Sequence, residues 1–257
     1  MSHGQAPVLG LVGNNYKPLQ NRNAFAWFDG IVGTGAAIYH TAGALGCGER
    51  IWILAKLPGE IRIVGDDVAD KYLLLSNSHD GESSVQVKFT PIRVVCKNTL
   101  TMALGRGPTL RVSHIASLGK RMEQVKENLG IIGKGYETIQ NQFQAMTRVQ
   151  LNQGRLAEYL EQVIPEPQDK TDDRARKRVA EARRSSAVLF DSGRGNNLAG
   201  VKGTLWAGYN GVAEYIDFRP TKQNPNQRLD SIWFGSGYLT KARAFKVALA
   251  KAVEWKN

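Results

Sequence analysis

S-N-S-H-D-G-E-S-S-V-Q-V-K-F-T-P-I-R-V-V-C-K-N-T-L-T-M-A-L, residues 76–104, is the stretch whose reading decides the fold. Asp80-Gly81 is a tight-turn dipeptide between two apolar runs, a strong hairpin signal. Beyond it Val85, Val87 and Phe89 alternate with Gln86, Lys88 and Thr90, the period of a strand. At Pro91 the parity of the apolar positions changes, because Ile92, Val94 and Cys96 are even-numbered. A proline with a change of parity predicts a bulge that keeps apolar side chains inward on both sides. On that reading Lys88, Arg93 and Lys97 all project from the outer face, and a helix starts after Thr99.

Upstream, the same period of two runs back to Ile38. A first strand ends near the turn at 43–48. In the next, Ile51, Ile53, Ala55 and Leu57 alternate with Arg50, Trp52, Leu54 and Lys56. Pro58-Gly59 is read as a turn, followed by Ile61 and Ile63. Tyr72–Leu75 is apolar at every position, as in a central strand covered on both faces. Val8–Val12 suggests a short strand. Asn21 or Asn23 can cap a helix with Phe25, Phe28 and Val32 inward and Gly33 at its end. Turns this short join neighbours, so the region is expected to be an antiparallel meander.

Downstream, Leu110–Ile115 is strand-like, and then helical periodicity takes over. Leu118, Met122, Val125, Leu129, Ile132, Tyr136, Ile139, Phe143 and Met146 keep a heptad spacing. Gly130, Gly133 and Gly135 weaken its middle, which favours two helices or one kinked helix on the sheet; a seam between subunits is the sharper alternative. A helix over 154–163 stops at Pro165-Glu166-Pro167. The charge-rich run 169–184 reads as an exposed helix or a mobile linker. Thr204 can cap a helix with Trp206, Tyr209, Ala213 and Ile216 on one side; Pro220–Arg228 reads as a polar loop. A last helix is expected to turn Leu239, Ala242, Phe245, Leu249 and Val253 inward. The fold class is therefore α+β, an antiparallel β-meander of four to five strands packed against helices, with a helical C-terminal half. The expected division is a core at 1–165, a charged linker or helix at 166–200 and a C-terminal helical pair at 201–257.

The net charge of +11 points to a polyanionic partner, nucleic acid foremost. The charge is uneven. Residues 1–80 carry six Lys/Arg against seven Asp/Glu, whereas 219–257 carry eight against two. No run approaches the length of a membrane helix, and the start lacks the pattern of a secretion signal. Two cysteines without metal-like spacing fit a reducing, cytoplasmic setting.

Three constellations stand out. Arg50, Trp52, Lys56, Arg62, Lys88, Arg93 and Lys97 would share one sheet face, where cations track phosphates and Trp52 stacks on a base. Lys120, Arg121, Lys126, Arg174, Arg176, Lys177, Arg178, Lys241, Arg243 and Lys246 would extend that surface. The competing reading packs Trp52 beneath a helix with the cations at its rim. Asn210, Glu214 and Asp217 line one helix face and are weak candidates for a hard cation; ion pairing of this stripe with Lys241 or Arg243 of the last helix is the preferred use. His79 and Cys96 could form a nucleophile pair only if they met, and strand geometry separates them. No catalytic residue and no cofactor is assigned.

Five blocks occur in order: L-G-L-V-G-N-N-Y-K-P-L-Q-N at 9–21, T-A-G-A-L-G at 41–46, S-N-S-H-D-G at 76–81, P-I-R-V-V-C-K-N-T-L at 91–100 and G-T-L-W-A-G-Y-N-G-V-A-E-Y-I-D at 203–217. Together they resemble the phage/plasmid-like proteins grouped as domain of unknown function 932. The resemblance implies a mobile-element setting and no settled activity. Many such proteins carry a further segment before the first block, which leaves the completeness of the first strand open. The expected architecture is also similar to that of ring-forming single-strand annealing proteins of phage recombination. The expectation is a nucleic-acid-binding protein of single-stranded DNA, serving annealing, recombination or replication, with homo-oligomer formation and no membrane contact. The alternatives are an oligomeric interaction protein of a mobile element, or a metal- or thiol-dependent enzyme.

Overall fold

Five strands, β1 (Ile38–Leu45), β2 (Arg50–Val64), β3 (Asp67–Ser78), β4 (Gln86–Phe89) and β5 (Ile92–Arg93), form one antiparallel sheet in the order β1-β2-β3-β4, with β5 also on β3. The computed structural model describes residues 8–11, 20–79, 86–97, 99, 118–218 and 224–256, with the main chain alone at 24, 27, 118–126, 128 and 129. The Asp80-Gly81 turn, the Leu110–Ile115 segment and the helix start expected after Thr99 lie outside the described residues. β3 is central, as its unbroken apolar run predicts, and residues 72–78 are all buried. Among the described residues seven helices accompany the sheet: α1 (Asn21–Gly33), α2 (Leu118–Thr147), α3 (Gln153–Val163), α4 (Asp173–Ser192), α5 (Leu205–Phe218), α6 (Pro225–Trp233) and α7 (Ser236–Glu254).

Two features of the sheet differ from the expectation. Pro58-Gly59 does not turn the chain. β2 continues through it as one strand, and the pairing jumps from Lys56↔Tyr72 to Glu60↔Asp70, which leaves two extra residues on β2. A proline without an N–H and a glycine at φ +73° fit such a bulge, and the turn comes at residues 65–66. Pro91, in contrast, sits at no bulge. Leu73↔Phe89, Asp70↔Ile92 and Ala69↔Arg93 keep one register across it. Parity is therefore unbroken: Val87, Phe89 and Arg93 face inward, Lys88 and Ile92 outward.

The inner face packs on helices. Ala55, Leu57, Ile61, Leu73 and Phe89 of the sheet join Ile132, Tyr136, Ile139, Phe143 and Met146 of α2 in one buried cluster, with Trp206 and Tyr209 of α5 and Phe245 of α7. The described part of the heptad seam thus packs inside its own chain. α2 is one continuous helix despite its glycines. Gly130 and Gly133 have open space around them, but a Cβ on Gly135 would lie 2.7 Å from Cζ of Phe89. Glycine there lets the helix descend until the Phe89 and Tyr136 rings meet edge to face at 5.1 Å. The Tyr136 hydroxyl donates to the carbonyl of Tyr72, and burial pushes its pKa far up.

α7 is rotated by about one residue from the expected face. It buries Lys241, Ala244, Phe245, Ala248, Lys251 and Ala252, whereas Leu239 and Val253 are exposed. Two lysines turn inward because acidic partners meet them, Asp217 for Lys241 and Glu158 with Glu254 for Lys251. The segment read as a polar loop, 220–228, holds the first turn of α6. Asn224 caps it, Pro225 occupies the first turn, and the Gln227 side chain returns to the Asn224 N–H in a capping box.

Candidate nucleic-acid interface

The outer sheet face carries the expected cations but is not open. Register puts Arg50, Trp52, Lys56 and Lys88 on it together with Leu54, Tyr72 and Leu74. α6 lies across these residues, so that Leu45, Trp52, Leu54, Tyr72, Leu74, Ile232 and Trp233 form a second buried cluster. Trp52 is 6% exposed and meets Trp233 edge to face at 4.4 Å. Its indole fits because the residue paired with it on β1 is Gly43, where a Cβ would lie 2.8 Å from the ring. Stacking of a base on Trp52 is thereby blocked. Arg50 pairs with Asp230 of α6 at 2.9 Å and rests on the Phe234 ring. Lys88 donates to the Trp233 carbonyl at 3.2 Å, and its ammonium sits 4.1 Å from the Tyr238 ring centre and 4.8 Å from that of Phe234. Burial, with the Arg50 charge nearby, pushes the Lys88 pKa down to about 8.

Arg93 is the clearest correction. Instead of projecting outward it has no exposed surface, because the register keeps it on the inner face. Its Nε and Nη2 donate to the two carboxylate oxygens of Asp67 at 2.7 and 2.8 Å. Nη2 also reaches the Gly195 carbonyl at 2.9 Å, and Nη1 reaches the Arg194 carbonyl and Asn196 Oδ1 at 3.1 and 3.2 Å. All five donor hydrogens are met, and the Trp206 indole N–H completes Asp67 Oδ2 at 2.7 Å. This cluster ties β3 and β5 to the 194–196 loop and α5.

Lys241, also expected at the surface, is fully buried. Its Nζ donates to Asp217 Oδ1 at 2.7 Å and to Thr99 Oγ1 at 2.6 Å, and the Thr99 amide and hydroxyl donate to Asp217 Oδ2. Burial pushes the Lys241 pKa below its usual range against the pull of Asp217. Ion pairing therefore occupies Asp217. The other members of its helical stripe have separate tasks: Asn210 Nδ2 donates to the Trp206 carbonyl, and Glu214 accepts from the Arg194 N–H. Among the described residues, no group of three or more His, Cys, Asp or Glu side chains converges as metal ligands would. His79 sits at one end of β3, where its ring nitrogen meets Asn21 Oδ1 at 3.0 Å. Cys96 sits by Arg93 at the other end. Strand rise separates the two by roughly 30 Å, too far for proton transfer.

The remaining expected cations divide between sheet rim and helices. Lys56 pairs with Asp70 at 3.1 Å, which holds its pKa above the usual range. Arg62 is 81% exposed beyond the β2 bulge. Lys97 is exposed in the turn after β5, at φ +60°. The side chains of Lys120, Arg121 and Lys126 lie outside the described residues.

On α4, Arg174, Arg176, Lys177, Arg178 and Arg184 are exposed; the helix carries six Arg/Lys against three Asp/Glu. Arg176 has Asp173 at 3.5 Å, but among the described residues no acidic side chain pairs with Arg174, Lys177, Arg178 or Arg184. On α7, Arg243 and Lys246 are exposed one turn apart. Each helix reaches the C-terminal end of α3, where Arg183 donates to the Ile164 carbonyl at 2.9 Å and Arg243 to that of Val163 at 3.2 Å. Cations at carbonyls of a helix C-terminus are favourably placed. In the sequence most of these cations stand only as extensions of the sheet face; among the described residues no further element covers them.

No curated protein and no solved structure gives a match to the chain. Among the described residues no helix is long and apolar enough to cross a membrane. A family model described as domain of unknown function (DUF932) matches residues 8–233, and the chain belongs to that family.

Proposed function

We propose that the protein binds nucleic acid, single-stranded DNA by preference, through the phosphate backbone and the cations of α4 and α7. The carrying observation is the exposed run Arg174, Arg176, Lys177, Arg178 and Arg184 on α4, with Arg243 and Lys246 exposed on α7. Arg174, Lys177 and Arg178 fall at helical spacing on adjacent turns and Arg184 follows six residues on, the four spanning about 15 Å of helix axis. The net charge of +11 adds long-range attraction. Among the described tryptophan side chains, Trp52, Trp206, Trp233 and Trp255 are buried, which supports binding that is electrostatic in character. The single-strand preference, a role in annealing, recombination or replication, and a mobile-element setting rest on the resemblances of sequence and architecture. A cytoplasmic location is supported by the two free thiols, Cys47 and Cys96.

The test is filter binding of a short single-stranded oligonucleotide at about 50 and about 200 mM salt, where backbone binding weakens steeply. Changing Arg174, Lys177 and Arg178 together to Gln should reduce the salt slope by about 2, near 0.7 per lost single-strand phosphate contact. The same change at Arg50 and Lys88 should leave affinity unaltered. Absence of binding at low salt, or full affinity in the α4 variant, refutes the proposal.

A further inference from the structure

β1 is an open edge of the sheet: β2 pairs with one side of it, and among the described residues no strand pairs with the other. Ile38, Tyr39, His40, Thr41, Ala42 and Ala44 are exposed, and only Leu45 is buried. The strand reads I-Y-H-T-A-G-A-L, without a Lys, Arg, Asp, Glu or Pro. That composition inverts the usual arrangement. Open edges are normally blunted by charge or proline, because their unpaired N–H and C=O groups template another strand. Here the charges sit on the inner strands, at Arg50, Lys56, Glu60 and Arg62 of β2 and Asp67, Asp70 and Lys71 of β3. Among the described residues the opposite edge is short, four residues in β4 and two in β5. On β1 the one interruption is the register shift between Tyr39 and Thr41.

Charge selects the occupant. In a chain of net charge +11, most contacts between identical copies bring like charge against like. An uncharged strand avoids that cost. Antiparallel pairing of one strand with its own copy about a twofold axis is also self-complementary without further adaptation. Thr41, Ala42, Gly43 and Ala44 are small enough to let two backbones approach at the centre. We infer that β1 is a dimerisation edge, pairing antiparallel with β1 of a second copy so that one sheet runs through both. The inference stands apart from nucleic-acid binding.

Light scattering on the eluting intact protein, free of nucleic acid, reads the outcome. The unaltered chain should have the mass of two chains. Ala42→Lys should elute at the mass of one at the same protein concentration, with an unchanged circular dichroism spectrum showing that it is folded. An equimolar mixture of Ala42→Lys and Ala42→Glu should regain the dimer, because opposite charges then face across the axis. A single-chain mass for the unaltered protein, as expected if another segment of the same chain covers the edge, overturns the inference. So does an Ala42→Lys variant that stays dimeric.

Discussion

Asp67→Asn keeps the shape of a fully buried side chain and removes the negative charge opposite Arg93. The guanidinium remains charged and has no exposed surface, so nothing in solvent replaces the lost carboxylate. Asparagine also presents one NH2 group where Asp67 had two acceptors. Whichever way the amide lies, a donor then faces a donor: Nε of Arg93 in one orientation, Nη2 of Arg93 and the Trp206 indole in the other. Breaking one partner of such a pair costs about 3–5 kcal/mol. Arg93→Met should cost a similar amount, because it leaves the Asp67 charge buried and the carbonyls of Arg194 and Gly195 without their donor. The double variant removes both charges and should cost less than the sum by more than about 2 kcal/mol. Urea unfolding followed by circular dichroism measures each term. At a slope of about 3 kcal/mol/M the single variants should lower the midpoint by about 1 M or more. A loss below about 1 kcal/mol for Asp67→Asn, or additive single costs, would refute the view that this pair locks the sheet to the 194–196 loop.

Two further outcomes follow from local geometry. Lys88 has a folded pKa near 8 against the usual 10.5, so between those values the unfolded chain binds more protons and stability rises with pH. The gain should be about 1–3 kcal/mol, reduced from the full shift by residual solvent, and Lys88→Met should abolish it; an unchanged pH profile of the urea midpoint in that variant would count against the buried-ammonium reading. Among the α2 glycines the sign of Gly→Ala should split. Gly133→Ala meets open space and should stabilise by about 0.5–1 kcal/mol, whereas Gly135→Ala drives a methyl against Phe89 and should destabilise by about 1–2 kcal/mol. Equal stabilisation at both positions would show that the helix stands off the sheet.

The sheet and its central strand were legible because alternation and an unbroken apolar run report burial directly. Tyr72–Leu75 and the spacing of Ile53, Ala55 and Leu57 carry that information in their own side chains. Register at a proline does not. Pro91 removes one N–H whether the ladder bulges or continues, and the apolar parity at Ile92, Val94 and Cys96 suggested a bulge. Ile92 is apolar because α6 covers the outer face, so both faces bury side chains and parity loses its meaning. Arg93 could be read as inward only by knowing that Asp67 and Asn196, 26 and 103 residues away, would meet it. α6 did have a local signal, since Asn224-Pro225-Asn226-Gln227 is a capping box with proline in the first turn; polarity masked it as a loop.

Layer depth explains why net charge alone misplaced the candidate surface. The sheet has α2 on one face and α6 on the other, so a cation on β2, β4 or β5 must find a partner inside the fold or remain at its rim. Arg50 meets Asp230, Lys88 meets aromatic rings and a carbonyl, and Arg93 meets Asp67. Neutralising Arg50 or Arg93 in place would cost stability, and none of the three would do much for a ligand that cannot reach it. α4 lies outermost, packed on α5 by Ala182, Ser186 and Phe190, and its arginines have water on the other side. There a cation adds little to stability, since exposed pairs contribute at most about 1 kcal/mol, and it stays available to a polyanion. A contrast between sheet and α4 variants therefore separates two uses of the same residue type: loss of stability with affinity kept in the first, and loss of affinity with stability kept in the second.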